Sequence, residues 1–75
     1  MTRLPTLSAI KLVRALKNAS FVELRQKSTS HLIMRNSITE FLVVIPMHGG
    51  DIKRGLMKEI IRQAGLTEKD FIKYI

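Results

Sequence analysis

The chain of 75 residues contains no cysteine, and this absence excludes two kinds of small protein. Without cysteine there can be neither a disulfide framework nor a thiolate metal site. Its two histidines are not accompanied by a suitably spaced carboxylate cluster, so a metal centre is disfavoured. We therefore expect a protein that works without a metal or other cofactor.

Long apolar runs are missing as well. No segment approaches the roughly 20 apolar residues needed to cross a bilayer, and the basic N-terminal stretch has no secretory core. We therefore expect no membrane partner and a cytoplasmic protein. At 75 residues the chain has room for one small core, which predicts a single domain over residues 1–75.

Residues for several familiar chemistries are scarce or absent. There is no Ser/His/Asp order, no pair of carboxylates and no phosphate-binding glycine loop, so protease, glycosidase and nucleotide hydrolase activities lack support. The few aromatic residues mostly fit core positions and offer no stacking platform for single strands. Acidic residues are also few: 6 against 13 basic ones give a net charge of +7. Such a surface favours nucleic acid or an acidic protein as the partner.

The apolar spacing predicts a first helix over about residues 8 to 18. Thr6 or Ser8 can serve as its N-cap. The apolar residues recur at the spacing of one helix face, which is the pattern expected for a buried stripe: Ala9, Leu12, Val13 and Leu16.

An alternating pattern follows and predicts two strands. Val22 and Leu24 alternate with polar residues, which indicates a half-buried first strand with its polar side turned outward. A second strand is predicted at about 30 to 36. Because side chains alternate along a strand, His31, Ile33 and Arg35 should share one face.

The segment "EFLVVIP" predicts a third strand that ends at Pro46. It is apolar on both faces, so we expect it to be central or well covered. Asp51 is the expected N-cap of the next helix. Gly65 is placed to end that helix in a left-handed conformation. The helix should bury a second apolar stripe: Met57, Ile60, Ile61 and Ala64.

The residues "TEKD" resemble a capping box and predict a short last helix that buries Phe71 and Ile75. The element order is thus helix, three antiparallel strands, helix and short helix. Two helices with buried stripes need a common surface, which a three-stranded sheet supplies. We predict an α+β sandwich with the helices on one face of the sheet.

His31 is the first candidate for chemistry, because imidazole titrates near neutrality and carries protons readily. On RNA it would take the proton of a ribose 2′-OH that attacks the adjacent phosphate, while nearby cations stabilise the developing charge. Arg25, Lys27 and Arg35 are the cations expected close by. The alternative is that His31 is an ordinary strand residue without a catalytic role.

Two further groups have similarly open interpretations. His48 could donate a proton, bind a phosphate or simply hold its loop. Arg54, Lys58 and Arg62 form a basic stripe that could follow a phosphate backbone, or could be a solvated helix face.

The chain resembles the HicA family of bacterial and archaeal toxins. The likeness runs through "LVRALKNASF", "LRQKSTSHLIMR" and "LVVIPMHGGDIKRGLMKEIIRQAGLTEKDF", and the last segment is the most specific. It implies a double-stranded-RNA-binding-domain-like α-β-β-β-α fold, a toxin that cleaves mRNA as an endoribonuclease, and a HicB-type antitoxin that covers the catalytic histidine. The family's histidine at the start of the second strand corresponds to His31. With the resemblance counted, we expect RNA contacts from Arg25, Lys27, Ser28, Thr29, Ser30, Arg35, His48, Lys53, Arg54 and Lys58.

The chain departs from the family pattern at two glycine positions. Ser20 stands where a glycine usually precedes the first-strand aromatic residue, and Ser28, Thr29 and Ser30 replace the usual turn before the histidine. A Cβ where the backbone needs positive φ costs on the order of 1 kcal/mol. Two alternatives stay open: a non-catalytic RNA-binding module with the same fold and, because of these departures, an inactivated toxin that only binds its antitoxin.

Overall fold

The computed structural model describes residues 4–28 and 30–75, and for residues 25–28 it describes the backbone alone. Three antiparallel strands follow the first helix and precede two more helices, so the predicted α+β order is confirmed. The elements are α1 (Ala9–Asn18), β1 (Phe21–Ser28), β2 (His31–Asn36), β3 (Leu42–Pro46), α2 (Arg54–Gln63) and α3 (Glu68–Ile72). This arrangement is consistent with the double-stranded-RNA-binding-domain-like fold.

The sheet has one covered and one open face. Side chains of β2 and β3 alternate between buried and solvent-accessible positions, as strand geometry requires. Leu32, Met34, Val43 and Ile45 point into the same core as the buried residues of the three helices. The opposite face carries no described element, so it is open.

Helix α1 begins as its sequence predicts. Ser8 is the N-cap, and its hydroxyl accepts a hydrogen bond from the backbone N–H of Lys11 at 3.3 Å. The predicted apolar stripe is buried, with Leu12 and Leu16 fully enclosed. After the helix, Ser20 adopts φ 77° and turns the chain into β1.

The prediction for the sides of β1 was wrong. Among the side chains of β1 that the structure describes, Phe21 enters the core, whereas Val22 and Leu24 are 45% and 47% exposed. The turn at Ser20 starts the strand on Phe21, and the alternation then directs Val22 outward. The pairing with β2 also shifts between Glu23 and Arg25, and such a bulge breaks the two-residue period.

The expectation that the third strand is central or well covered was also wrong. The strand order is β1-β2-β3, so β2 is central and β3 forms an edge. Leu42 and Val44, on the open face of β3, are 53% and 41% exposed. Strand order is a long-range property that the composition of one strand does not determine.

The beginning of α2 differs from the prediction, whereas its buried stripe and its end agree with it. Lys53 is the N-cap and makes no side-chain capping bond. Asp51 instead forms an isolated bridge with Ser8 and accepts a hydrogen bond from the hydroxyl of Thr6 at 3.4 Å. The four predicted apolar residues are all buried, and Gly65 follows the helix with φ +76°.

Helix α3 packs against the core through Phe71 and the partly buried Ile72. Thr67 is its N-cap and accepts from the backbone N–H of Asp70 at 3.0 Å, and Phe71 is fully buried. Ile75, which was expected to be buried, is 55% exposed. The aromatic residues were mostly expected to fit core positions; Phe21 and Phe71 do, whereas Phe41 is 49% exposed. Among the described residues no helix is long and apolar enough to cross a bilayer.

Candidate functional site

His31 is the first residue of the central strand and is exposed on the open sheet face. Its Cα is paired with that of Ser28 on β1 and with that of Pro46 on β3. Beyond this row, the backbone N–H of Met47 donates to the carbonyl of Ser30 at 2.6 Å, which continues the contact between the two chain segments. The backbone of His31 is therefore held from both sides.

The hydroxyl of Ser30 lies 3.3 Å from Nδ1 of His31. If the N–H at Nδ1 donates a hydrogen bond to this hydroxyl, Nε2 carries a lone pair and can accept a proton. If the hydroxyl donates to Nδ1, Nε2 carries the proton and can give it away. The direction of this hydrogen bond therefore fixes the tautomer of His31, and the tautomer decides whether Nε2 can accept a proton or give one away.

Arg35 lies on the same face as His31, as the alternation predicted. Four residues along a strand correspond to about 13 Å, so its Cα is not adjacent to the histidine. Its guanidinium is 3.9 Å from the carboxylate of Glu40, and both side chains are largely exposed. At this long distance an exposed ion pair is weak, so Glu40 does not hold the guanidinium of Arg35 in place, unlike an arginine that donates to both carboxylate oxygens.

The backbone of β1 brings further predicted residues towards His31. Ser28 is paired with His31 and Arg25 with Ile33, while Lys27 lies at a second irregularity of the strand. The side chains of Arg25, Lys27 and Ser28 lie outside the described part of the structure, and so does the whole of Thr29.

His48 lies two residues beyond Pro46, the strand partner of His31. Its side chain is exposed, and Nδ1 is 3.4 Å from the carbonyl oxygen of Gly49. Together with Ile10 and Gly50 it lines a shallow cleft of about 360 Å³ beside the beginning of α1. The histidine is thus accessible to a ligand at this end of the molecule.

The predicted cations of α2 lie in the helical layer, across the sheet from the open face. Arg54 uses its Nε to donate to the carbonyl of Leu4 at 3.2 Å, so part of its role is to hold the N-terminal segment. Lys58 is exposed on the same helix, and Lys53 is exposed just before it. The structure does not bring these three residues onto the face that carries His31.

Arg62, the third member of the basic stripe, is paired with an acid. Its guanidinium donates to both carboxylate oxygens of Glu59. This hydrogen bonding lowers the pKa of Glu59 from its ordinary value and raises that of Arg62. Arg62 is accordingly less available to a phosphate than Lys58 is. Among residues 4–28 and 30–75, no three His, Asp or Glu residues gather as a metal site.

The apolar character of the open face was not expected from the sequence. Val22, Leu42 and Val44 leave between two fifths and just over half of their surface exposed there. The alternation of Leu42 and Val44 with the buried Val43 and Ile45 contained the signal. This alternation could be interpreted as one apolar open face only once β3 was known to be covered on one side alone.

Comparisons with known proteins identify the family. A search of curated proteins gives no match. A family model for the HicA toxins of bacterial toxin-antitoxin systems matches residues 10–66, which is more than half of the chain. The match contains the whole sheet, His31 and His48, and the family implies an antitoxin partner. The chain therefore belongs to the HicA family of toxins.

Proposed function

We propose that the chain is an endoribonuclease toxin that cleaves mRNA, with His31 as its general acid and base. The observation that carries the proposal is the position of this histidine. It is exposed on the open sheet face, its backbone is held between two strands, and the chain belongs to a toxin family. A rigid backbone with an accessible imidazole is what proton transfer at a bound phosphate requires.

In the proposed reaction, His31 accepts the proton of a ribose 2′-OH while the 2′-oxygen attacks the adjacent phosphorus. The bond from phosphorus to the 5′-oxygen breaks, and that oxygen takes up the proton that His31 accepted, which returns the imidazole to its starting state. The products are a 2′,3′-cyclic phosphate and a 5′-OH, and no electrons are transferred to another reactant. General acid–base catalysis of this kind typically contributes about 10²- to 10⁴-fold in rate. One imidazole is sufficient to move these protons, so the proposed reaction needs no metal.

The phosphates would be held near His31 by short-range hydrogen bonds and by cations. Ser30, Arg35 and His48 are the described side chains around this end of the open face. Arg25, Lys27, Ser28 and Thr29 would contribute from the first strand and the turn that follows it. RNA would have to extend past the edge of the sheet to reach the helical layer, where Lys53, Arg54 and Lys58 lie.

The proposed partner is a HicB-type antitoxin that covers His31. The net charge of +7 favours rapid association with an acidic protein, because opposite charges steer the encounter. Covering the one proton carrier would be sufficient to prevent cleavage.

The proposal is tested with a defined single-stranded RNA in EDTA, comparing the unaltered chain with His31→Ala and His31→Gln. The unaltered chain should cleave and leave 2′,3′-cyclic phosphate ends, and both variants should be at least about 100-fold slower. Glutamine keeps a polar side chain of similar size, so its failure would point to proton transfer rather than to packing. His48→Ala removes an expected phosphate contact but not the proposed proton carrier, so it should weaken RNA binding and still cleave at saturating RNA.

Circular dichroism and RNA-binding curves must show that the His31 variants fold and bind as the unaltered chain does. Cleavage by His31→Ala at the original rate would refute the catalytic role of His31. RNA that the unaltered chain binds but leaves intact would favour the non-catalytic binding module. Intact RNA without binding, in a chain that still binds its antitoxin, would favour the inactivated toxin.

A further inference from the structure

Two clefts adjoin along the outer side of α1 and form one groove. The cleft that holds His48 has a neighbour of about 320 Å³, which lies between α1 and the strands. Ile10 and Met47 line both clefts, so the two are continuous. Arg14 and Lys17 line the second cleft, farther along the helix. We call this surface the α1 groove and define it by Ile10, Met47, Arg14 and Lys17.

The α1 groove begins next to the candidate site. Leu32, which follows His31 in β2, lines the groove, and so does Met47, which follows the strand partner of His31. The backbone N–H of Met47 donates to the carbonyl of Ser30 at 2.6 Å. Because consecutive Cα atoms are about 3.8 Å apart, the groove starts one residue from His31 on both strands. An RNA strand bound at His31 can therefore continue around the end of the sheet into the groove.

One exposed side of α1 supplies a wall of the groove. Ile10, Arg14 and Lys17 follow one another at i, i+4 and i+7, a spacing that places them on the same helix face, and all three are exposed. At 1.5 Å per residue the two cations lie about 6 and 10 Å along the helix from Ile10. The apolar part of the groove is thus nearer the histidines, and the cationic part is farther away.

The two cations differ in their availability to a phosphate. Nζ of Lys17 is 2.6 Å from the carboxylate of Glu23, and both side chains are about half exposed. Arg14 makes no ion pair with any side chain that the structure describes. A guanidinium also presents a planar set of donors that matches the oxygens of a phosphate. We therefore expect Arg14 to be the phosphate contact, while Glu23 restrains Lys17 and repels an anion.

The chemistry of the α1 groove suits one nucleotide. Its apolar part offers Ile10 and Met47 to a base, and a thioether packs favourably against a flat aromatic ring. Its cationic part offers Arg14 to a phosphate. A cleft of about 320 Å³ is at the lower end of the sizes that hold small ligands, which fits a single nucleotide better than a folded protein surface.

The position of the α1 groove favours the substrate over another ligand. An acidic protein would be attracted by the net charge of +7 wherever it docked, whereas an RNA strand at His31 must leave the site along some path. From the continuity with His31, the apolar floor and the available guanidinium, we infer that the α1 groove binds a nucleotide of the RNA strand adjacent to the cleaved phosphate. The identity of this ligand as the RNA substrate rests on the proposed function.

The test compares Arg14→Gln with Lys11→Gln as its matched control. Both variants replace one cation of α1 by the same neutral residue, so they lower the net charge equally. Lys11 is exposed on α1 and lines, with Arg14, a different cleft beside Tyr74. Binding of a fluorescently labelled single-stranded RNA of mixed sequence is measured by anisotropy. His31→Ala protein is the background for every variant, so the RNA stays intact.

Arg14→Gln should raise Kd for the RNA by about 10-fold, which is the effect of one hydrogen bond to a charged group. It should also reduce the slope of log affinity against log salt by about 0.7, the value for one phosphate contact. Lys11→Gln should change Kd by less than about 2-fold and leave the slope unchanged. Thermal melts confirm that each variant is folded.

Glu23→Gln should change affinity in the opposite direction. It removes a negative charge beside the phosphate and releases Lys17, so Kd should fall by about 2- to 5-fold. Tighter binding cannot result from general damage to the fold. An unchanged or raised Kd in this variant would contradict the placement of a phosphate at this end of the groove.

The apolar part of the groove is tested with Ile10→Ala and its control Ile38→Ala. Both isoleucines are largely exposed, at 66% and 78%, but Ile38 lies in the turn between β2 and β3. Ile10→Ala should raise Kd by at least about 3-fold, because a base loses apolar contact. Ile38→Ala should leave Kd unchanged.

Equal Kd values for Arg14→Gln and Lys11→Gln would overturn the inference. Unchanged RNA binding combined with weaker binding to the antitoxin encoded beside the chain would assign the groove to that protein. Cleavage is measured separately in chains that keep His31. If the groove variants weaken RNA binding but the unaltered chain never cleaves, the proposed function fails and the nucleotide site remains. Cleavage by Arg14→Gln with unchanged KM would refute the nucleotide site and leave the proposed function in place.

Discussion

At the scale of single residues, Ser20 has a larger effect than its position in a short turn suggests. Its φ of 77° lies in the left-handed region, which side chains with a Cβ rarely adopt. The carbonyl of Ser20 accepts from both the backbone N–H and the hydroxyl of Ser37, at 2.9 and 3.1 Å. These bonds hold the turn, and the turn places Phe21 in the core. Ser20 therefore holds a backbone conformation that glycine adopts more readily.

This conformation leads to a prediction about stability. Ser20→Gly should raise the free energy of unfolding by about 0.5–1 kcal/mol, because relief of the left-handed strain exceeds the extra entropy of glycine in the unfolded chain. The carbonyl bonds to Ser37 would be kept. Urea denaturation measures the change.

Ser20→Ala is the matched control, since it removes the hydroxyl but keeps the Cβ. It should bring no gain in stability. Equal stabilisation by alanine and glycine would show that the hydroxyl, and not the backbone conformation, is responsible.

At the scale of elements, the sequence predicted the two longer helices better than the strands. Helical periodicity is a local property, and the stripes of α1 and α2 contain enough turns to identify the buried side. In β1 one turn residue and one bulge changed which side chains are buried. The edge position of β3 depends on pairing between distant segments, which no single strand reveals.

The candidate site shows the same division between local and long-range information. That His31 and Arg35 share a face follows from alternation within β2, and the structure confirms it. Lys58 lies across the sheet from His31 because α2 packs on the covered face. The spacing of basic residues along that helix does not reveal on which side of the sheet the helix lies. The roles of His31 in cleavage and of Lys58 in RNA binding are predictions, which the cleavage and salt-dependence assays test.

The end of α2 offers a second prediction about stability. Gly65 has φ +76°, and a Cβ there would overlap the ring of Phe41. Gly65→Ala should therefore lower the free energy of unfolding by about 2–4 kcal/mol, through the left-handed conformation and the overlap together. Thermal or urea denaturation gives the value.

Gly55→Ala is the control for this change, since a Cβ at Gly55 meets nothing within 4 Å. Because Gly55 lies in α2, this variant should be neutral or gain up to about 1 kcal/mol. In a Phe41→Ala background the cost of Gly65→Ala should fall to about 1–2 kcal/mol, the conformational part. An unchanged cost in that background would show that the ring contributes nothing.

At the scale of the whole molecule, the exposed cations of α2 lie in the helical layer, on the side of the sheet opposite the open face. The open face carries the aliphatic side chains of Val22, Leu42 and Val44 together with the cation Arg35. An RNA that contacts both α2 and His31 would therefore have to pass around the edge of the sheet.

The salt dependence of RNA binding tests whether the proposed RNA track includes α2. Each phosphate contact to a single strand contributes about 0.7 to the slope of log affinity against log salt. If Lys58 contacts RNA, Lys58→Gln should reduce the slope by about 0.7 and weaken binding to different RNA sequences equally. His31→Ala protein is used throughout, so that the RNA stays intact.

The control for this prediction is the double variant Glu59→Gln/Arg62→Gln on the same helix. It removes an ion pair without changing net charge, and its slope should match that of the unaltered helix because Arg62 is occupied by Glu59. If Lys58→Gln leaves the slope unchanged, RNA does not contact α2 and binds only at the end of the open face around His31, Ser30 and His48 and in the α1 groove beside it. The cations of α2 would then contribute to the encounter only through the long-range field.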